Sequence, residues 1–239
     1  MRWVTVAIAV VMMATSVAAA EIDQLQNLQQ AQFRALSEDL GAALSYKPLV
    51  PAEPLGAAGF DLGVEVSVTD LQAADALEQA TSEDVPAALP IARLHVHKGL
   101  PFGFDVGASY SAVPEVDVRL WGVELRYAIV KGGTALPALA LRGSLTRLTG
   151  VEQLDIDTRA LDLSISKGFA FLTPYAGVGR VWVTSTPKNL PTTAPSEEDF
   201  GLNKYFAGLN VALGIFSVAG EADRTGDAWT YSAKLALRF

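Results

Sequence analysis

The chain has 239 residues, half of them hydrophobic, with two His, no Cys and a formal charge of −8. The acidity argues against nucleic acid as a partner, and the missing Cys excludes a disulfide framework, a lipoprotein anchor and any thiolate metal site. Mean hydropathy is positive, yet no stretch after the N-terminal segment runs to about 18 uncharged apolar residues, so spanning helices are excluded while alternating strands are not.

Residues 1–20 read as a signal peptide. Arg2 supplies the positive start, Val4 to Met13 the apolar run, and Ser16-Val17-Ala18-Ala19-Ala20 a small-residue cleavage site. Residues 21–56 read as a helix followed by a tether. Leu25, Leu28, Gln32, Leu36 and Leu40 keep three- and four-residue spacing, which predicts a short periplasmic amphipathic helix that Gly41 weakens or ends. Pro48, Pro51 and Pro54 then force an extended path.

From residue 57 the period changes to two, the repeat of a strand with unlike faces. Phe60, Leu62, Val64, Val66 and Val68 alternate with Asp61, Gly63, Glu65, Ser67 and Thr69. A long polar loop, Asp70 to Ala87, separates this strand from one carrying Arg93, His95 and His97 on one face. A third strand places Asp105 opposite Phe104 and Val106, and a short loop at Val113-Pro114-Glu115 follows. A fourth sets Glu124 and Arg126 against Trp121, Val123, Leu125 and Tyr127; Val118 and Leu120 have the opposite parity, which predicts a bulge near Leu120 or a strand leaving the membrane there. Arg142 and Asp162 take the polar faces of the fifth and sixth strands. In the seventh, setting Arg180 inward places Tyr175, Gly177, Gly179, Val181 and Val183 outward and Trp182 inward. After a second long loop, Thr186 to Gly201, the eighth strand follows, and Glu221 marks the polar face of the ninth. The last strand puts Tyr231, Leu235, Leu237 and Phe239 on the apolar face and Lys234, Ala236 and Arg238 on the polar one.

The sum is an all-β chain: a closed antiparallel transmembrane β-barrel of about ten strands, eight being possible, with long outer loops, short periplasmic turns and both termini in the periplasm. Aromatic residues sort into two levels, as rings do at the two membrane interfaces.

Ser45-Tyr46-Lys47-Pro48 through Pro54-Leu55-Gly56, with Gly59-Phe60-Asp61, resembles the entry segment of a subgroup of small bacterial outer-membrane β-barrel proteins. Thr173-Pro174-Tyr175-Ala176-Gly177-Val178-Gly179 is similar to a strand start of the opacity and OmpA-like class, and the terminal Phe strand is similar across that class. The resemblance implies eight strands in most members, export to the outer membrane, outer-membrane lipid and lipopolysaccharide as surroundings, and assembly by the barrel-assembly machinery and periplasmic chaperones. Tyr231, Leu235, Leu237 and Phe239 would form the assembly signal. It carries over no catalytic residue.

For function, the inward set is a charged network: Asp61, Glu65, Arg93, His95, His97, Asp105, Glu124, Arg126, Arg142, Asp162, Arg180, Glu221, Lys234 and Arg238. The signs balance, so the charges are expected to pair and fill the lumen, giving a structural, envelope-integrity role. The alternatives are a small passive channel for polar or ionic solutes and an outer-membrane lipid-modifying enzyme. His95 and His97 share a strand face, a spacing compatible with metal if Glu65 or Asp105 joined them, but their place among lumen-lining residues favours no metal and no cofactor. Neither omptin-type proteases, nor outer-membrane phospholipases and deacylases with a His-x-Ser pair, nor the palmitoyltransferase barrel finds its residues in His95-Val96-His97, so no enzyme is expected.

Overall fold

A computed structural model describes residues 22–81, 86–113, 117–191 and 195–239; the predicted signal peptide and the Pro114-Glu115 loop lie outside the described residues. Ten strands form one closed antiparallel barrel. They are β1 (Phe60–Asp70), β2 (Ala88–Gly99), β3 (Phe104–Val113), β4 (Val118–Lys131), β5 (Ala138–Thr149), β6 (Leu154–Ser166), β7 (Leu172–Pro187), β8 (Glu198–Leu213), β9 (Phe216–Thr225) and β10 (Ala228–Arg238). Every strand pairs with its sequence neighbours, and β1 closes on β10 from Asp61 opposite Arg238 to Thr69 opposite Thr230. The connections after even-numbered strands are short; that after β8 is a tight hairpin turn in which Gly214 takes a φ of 68°, a left-handed conformation that favours glycine. The connection after β1 is long and holds a helix, α2 (Ala74–Thr81), where the sequence suggested only a loop. We call the two rims the long-loop end and the short-turn end.

Alternation decides the two faces. Leu62, Val64, Leu94, Val96, Leu125, Leu141, Leu145, Leu161, Leu163, Leu209, Val218 and Leu235 are exposed on the outside, a band that water would not wet cheaply and that acyl chains cover. Trp121, Trp182, Tyr205, Trp229 and Tyr231 stand toward the long-loop end of this exterior; Phe60, Phe102, Tyr127, Phe216 and Phe239 stand toward the short-turn end. The exterior is that of a barrel that crosses a bilayer.

The N-terminal helix, α1 (Gln30–Leu44), is not periplasmic: it lies inside the barrel. The Gln29 amide bonds the Gln32 side chain at 2.9 Å, closing a capping box at its start. A free amphipathic helix would bury one stripe, but here Phe33, Leu36, Ser37 and every residue from Asp39 to Leu44 are buried, because wall surrounds the helix. Gly41 does not end it. Gly41 marks its closest approach to β7, where a Cβ would come within 2.6 Å of the Val183 side chain.

Inward-facing apolar residues of the strands complete this core: Leu89, Ile91, Leu120, Leu148, Leu154, Ile156, Val181, Val183, Phe200 and Leu202. That corrects two expectations. Leu120 sits in an unbroken β3–β4 register and points inward onto the helix; the irregularity in β4 falls between Ala128 and Val130 instead. The parity of β7 is also the reverse of that predicted: Tyr175, Val181 and Val183 are buried inside, while Val178, Arg180 and Trp182 face out. A charge facing lipid is costly near the midplane. Arg180 stands instead beside Trp182 and Tyr205 at the outer aromatic belt, where that cost falls to about 0–1 kcal/mol.

Candidate functional site: a lumen filled by the chain itself

Ten strands enclose a wider lumen than the eight whose side chains just fill it, so this barrel needs further material inside. The N-terminal segment supplies it. The Gln30 side chain bonds the Ser196 backbone and the Glu198 carboxylate at the long-loop end, and Arg34 meets Glu198 at 2.9 Å. The helix then descends, and from Gly41 to Ala52 every residue is buried. The path leaves at the short-turn end, where β1 begins.

The tether from Ser45 to Leu55 has a simple local chemistry. Its prolines remove amide donors and hold the backbone extended, so its carbonyls find no partner within the segment. The wall provides donors. Arg93 Nη2 bonds Ala43 O in the last turn of α1 at 2.6 Å; in the tether, Lys204 Nζ bonds Tyr46 O at 3.2 Å, Lys234 Nζ bonds Pro48 O at 3.0 Å, and Arg126 Nη1 bonds Pro51 O. Each cation has an acid beside it: Arg93 with Glu65 at 2.7 Å, Lys204 with Asp162 at 3.8 Å, Lys234 with Asp61 at 2.9 Å, and Arg126 with Asp105 at 2.7 Å. Asp105 also accepts the Leu55 amide at 3.0 Å. The tether adds one charge of its own: Lys47 Nζ pairs with Asp223 of β9 at 2.9 Å, both fully enclosed. Acid, base and carbonyl thus repeat four times down the lumen, and each buried charge is neutralised beside the polar atom it serves.

The predicted network residues therefore face inward, with the one exception of Arg180, and Arg238 is only half-buried at the short-turn rim. Their partners differ from those expected. Adjacent or next-but-one strands pair with one another and grip a threaded segment, rather than reaching across an otherwise filled lumen. Arg142 faces Glu124 at 3.6 Å, and His97 lies 3.5 Å from both Asp61 and Glu124. Tyr175, expected on the outward face, is buried in the lumen. Sequence reasoning missed Tyr46, Lys47, Lys204 and Asp223. The parity of Lys204 and Asp223 could have found the latter two, since each continues the inward register of its strand.

The His pair is part of the wall. The rings of His95 and His97 stack with centroids 5.7 Å apart, His95 Nε2 lies 2.6 Å from Glu65, and Tyr46 Oη lies 3.4 Å from His97 Nε2. Among the described residues, no group of three His, Cys, Asp or Glu side chains is placed to hold a metal.

Comparison with solved structures finds proteins of partial similarity. KdgM porin is similar over 75% of this chain and 99% of its own, at 9% identity and a TM-score of 0.39. OprG from Pseudomonas aeruginosa is similar over 80% and 99%, at 12% identity and a TM-score of 0.38. Ail, the attachment invasion locus protein of Yersinia pestis, is similar over 76% and 97%, at 11% identity and a TM-score of 0.29. These structural neighbours are small outer-membrane β-barrels. No protein-family model matches the chain, and no curated protein matches it.

Proposed function

We propose that the chain is an integral outer-membrane barrel with a structural, envelope-integrity role, kept shut by its own N-terminal segment. The observation that carries this reading is the unbroken burial from Gly41 to Ala52, bonded to the wall at four levels. The apolar exterior and the signal-like N-terminus support the location. Tyr231, Leu235, Leu237 and Phe239 remain the proposed assembly signal; deleting Phe239 should lower membrane yield in cells more than refolding in detergent.

Single-channel recording in planar bilayers tests the closed state. The full mature chain should show no steady conductance, and a variant lacking residues 22–55, helix and tether together, should conduct. Steady conductance from the full chain would overturn the reading in favour of a passive channel. One observation favours that second reading: the lower lumen wall carries balanced charges that would line a polar path if the tether withdrew. A lipid-modifying enzyme has less support, because both His side chains are buried beneath the plug.

A further inference from the structure

The outside of the barrel carries a feature that the lumen does not explain. Five arginines face outward toward the long-loop end: Arg119, Arg147, Arg159, Arg180 and Arg224. Three of them have an acid beside them, Asp117 at 2.5 Å, Asp157 at 2.6 Å and Asp227 at 2.8 Å. Arg159 and Arg180 form no ion pair among the described residues. They stand on adjacent strands: Arg180 is opposite Leu161 and Arg159 is opposite Trp182, so the two are diagonal neighbours about 7–8 Å apart at the backbone.

The surroundings of Arg180 are built. Its Nη1 donates to Asn203 Oδ1 at 3.1 Å, and its guanidinium lies over Gly201, where a Cβ would come within 2.7 Å of it. Both contacts fix the fork while leaving its charge unneutralised. Beside it, a groove of about 450 Å³ on the barrel surface is bordered by Leu141, Leu161, Leu163 and Val178, with Tyr205 opposite Val178 and Trp182 one step above Arg180 toward the long-loop end. Asp162 also borders the groove, but its carboxylate lies at the lumen side beside Lys204. A cationic head beside an apolar groove, at the level of the aromatic belt, complements one kind of molecule: an anionic head on acyl chains.

We propose that Arg159 and Arg180 bind a phosphate group of a membrane lipid whose acyl chains lie in this groove. The proposal rests on the outer-membrane reading, which a separate measurement tests: a detergent-folded membrane barrel should shift in gel mobility between boiled and unboiled samples. The guanidinium fork of Arg180 takes two phosphate oxygens, Arg159 supplies the second charge from above, and Leu161 and Leu163 contact the chains.

Native mass spectrometry of the detergent-folded protein tests it, with lipid A as the phosphorylated probe. Diacylglycerol serves as a phosphate-free lipid and inorganic phosphate as a chain-free anion. Wild type should retain lipid A and not diacylglycerol, and millimolar phosphate should not displace it. Arg159→Gln with Arg180→Gln should weaken retention at least tenfold. Arg180→Lys, which keeps the charge and loses the fork, should fall between. Arg147→Gln should change nothing, since that guanidinium is already held by Asp157. Equal retention by wild type and the double variant would overturn the proposal, as would equal retention of diacylglycerol. Displacement by inorganic phosphate alone would show an ion site and not a lipid site. If the double variant folds poorly, Arg180→Lys against Arg147→Gln decides the same question.

Discussion

Lys47 is the residue on which the plug's own charge balance depends. Its ammonium and Asp223 are both excluded from solvent, so removing one leaves the other buried and uncompensated. Lys47→Met should destabilise the folded barrel by about 3–5 kcal/mol, and Lys47→Met with Asp223→Leu should recover most of that loss, read from urea titrations in lipid. On the exterior, Leu235→Arg sets a charge against acyl chains and should cost about 2–4 kcal/mol in the same assay, with Leu237→Arg costing less because it lies nearer the rim. Ala236 faces inward as its parity predicts and is buried there. Parity was legible wherever polar and apolar residues alternate cleanly, as in β1 and β10. It failed in β7, where Gly177 and Gly179 give no sign of their face and the single Arg lies away from the midplane, where a charge facing lipid costs little.

Among the elements, α1 shows most clearly what periodicity can and cannot say. Three- and four-residue spacing located the helix, and the capping box confirms its start. Spacing does not name the surface against which the stripe packs, and a helix in the periplasm and one in a lumen read alike. The missing information was on the strands. Leu120, Leu148, Leu154, Ile156 and Val183 are inward apolar residues in a wall otherwise charged, and such a ring makes sense only against an apolar object inside. The approach of that object is close at Gly41. Gly41→Leu should push α1 off β7 and lower stability by about 1–3 kcal/mol in thermal melts, and adding Val183→Ala should return part of it. The tether was better marked in the sequence, since Pro48, Pro51 and Pro54 announce an extended, donor-poor segment; that its carbonyls would be met by three wall cations was not.

For the whole molecule, the strand count and closure were legible because each strand repeats the same two-residue signal, and the number of such segments sets the ring. The threading of the N-terminal segment through that ring was not, because it depends on contacts between residues far apart in the chain. The absence of cysteine offers a clean measurement. Ser37 Oγ of α1 and Ser185 Oγ of β7 lie 2.9 Å apart. Ser37→Cys with Ser185→Cys should cross-link on mild oxidation, giving a non-reduced band of altered mobility, and the linked protein should stay silent in bilayers under urea concentrations that open the unlinked one. A helix held outside the barrel would leave the two thiols free.

The threaded segment also imposes a chronology. Residue 22 lies toward one rim and residue 60 toward the other, with the ring closed around the chain between them by the β1–β10 pairing. A finished ring would have to admit a helix about 10–12 Å across and draw it past four sets of polar contacts. A growing sheet can instead curl around a helix already in place, with the β1–β10 seam zipping last. The threaded segment is then a mandrel for the strands that follow it, and the seam between first and last strands locks it in. A helix supplied as a separate peptide to a truncated barrel would arrive after the ring had shut.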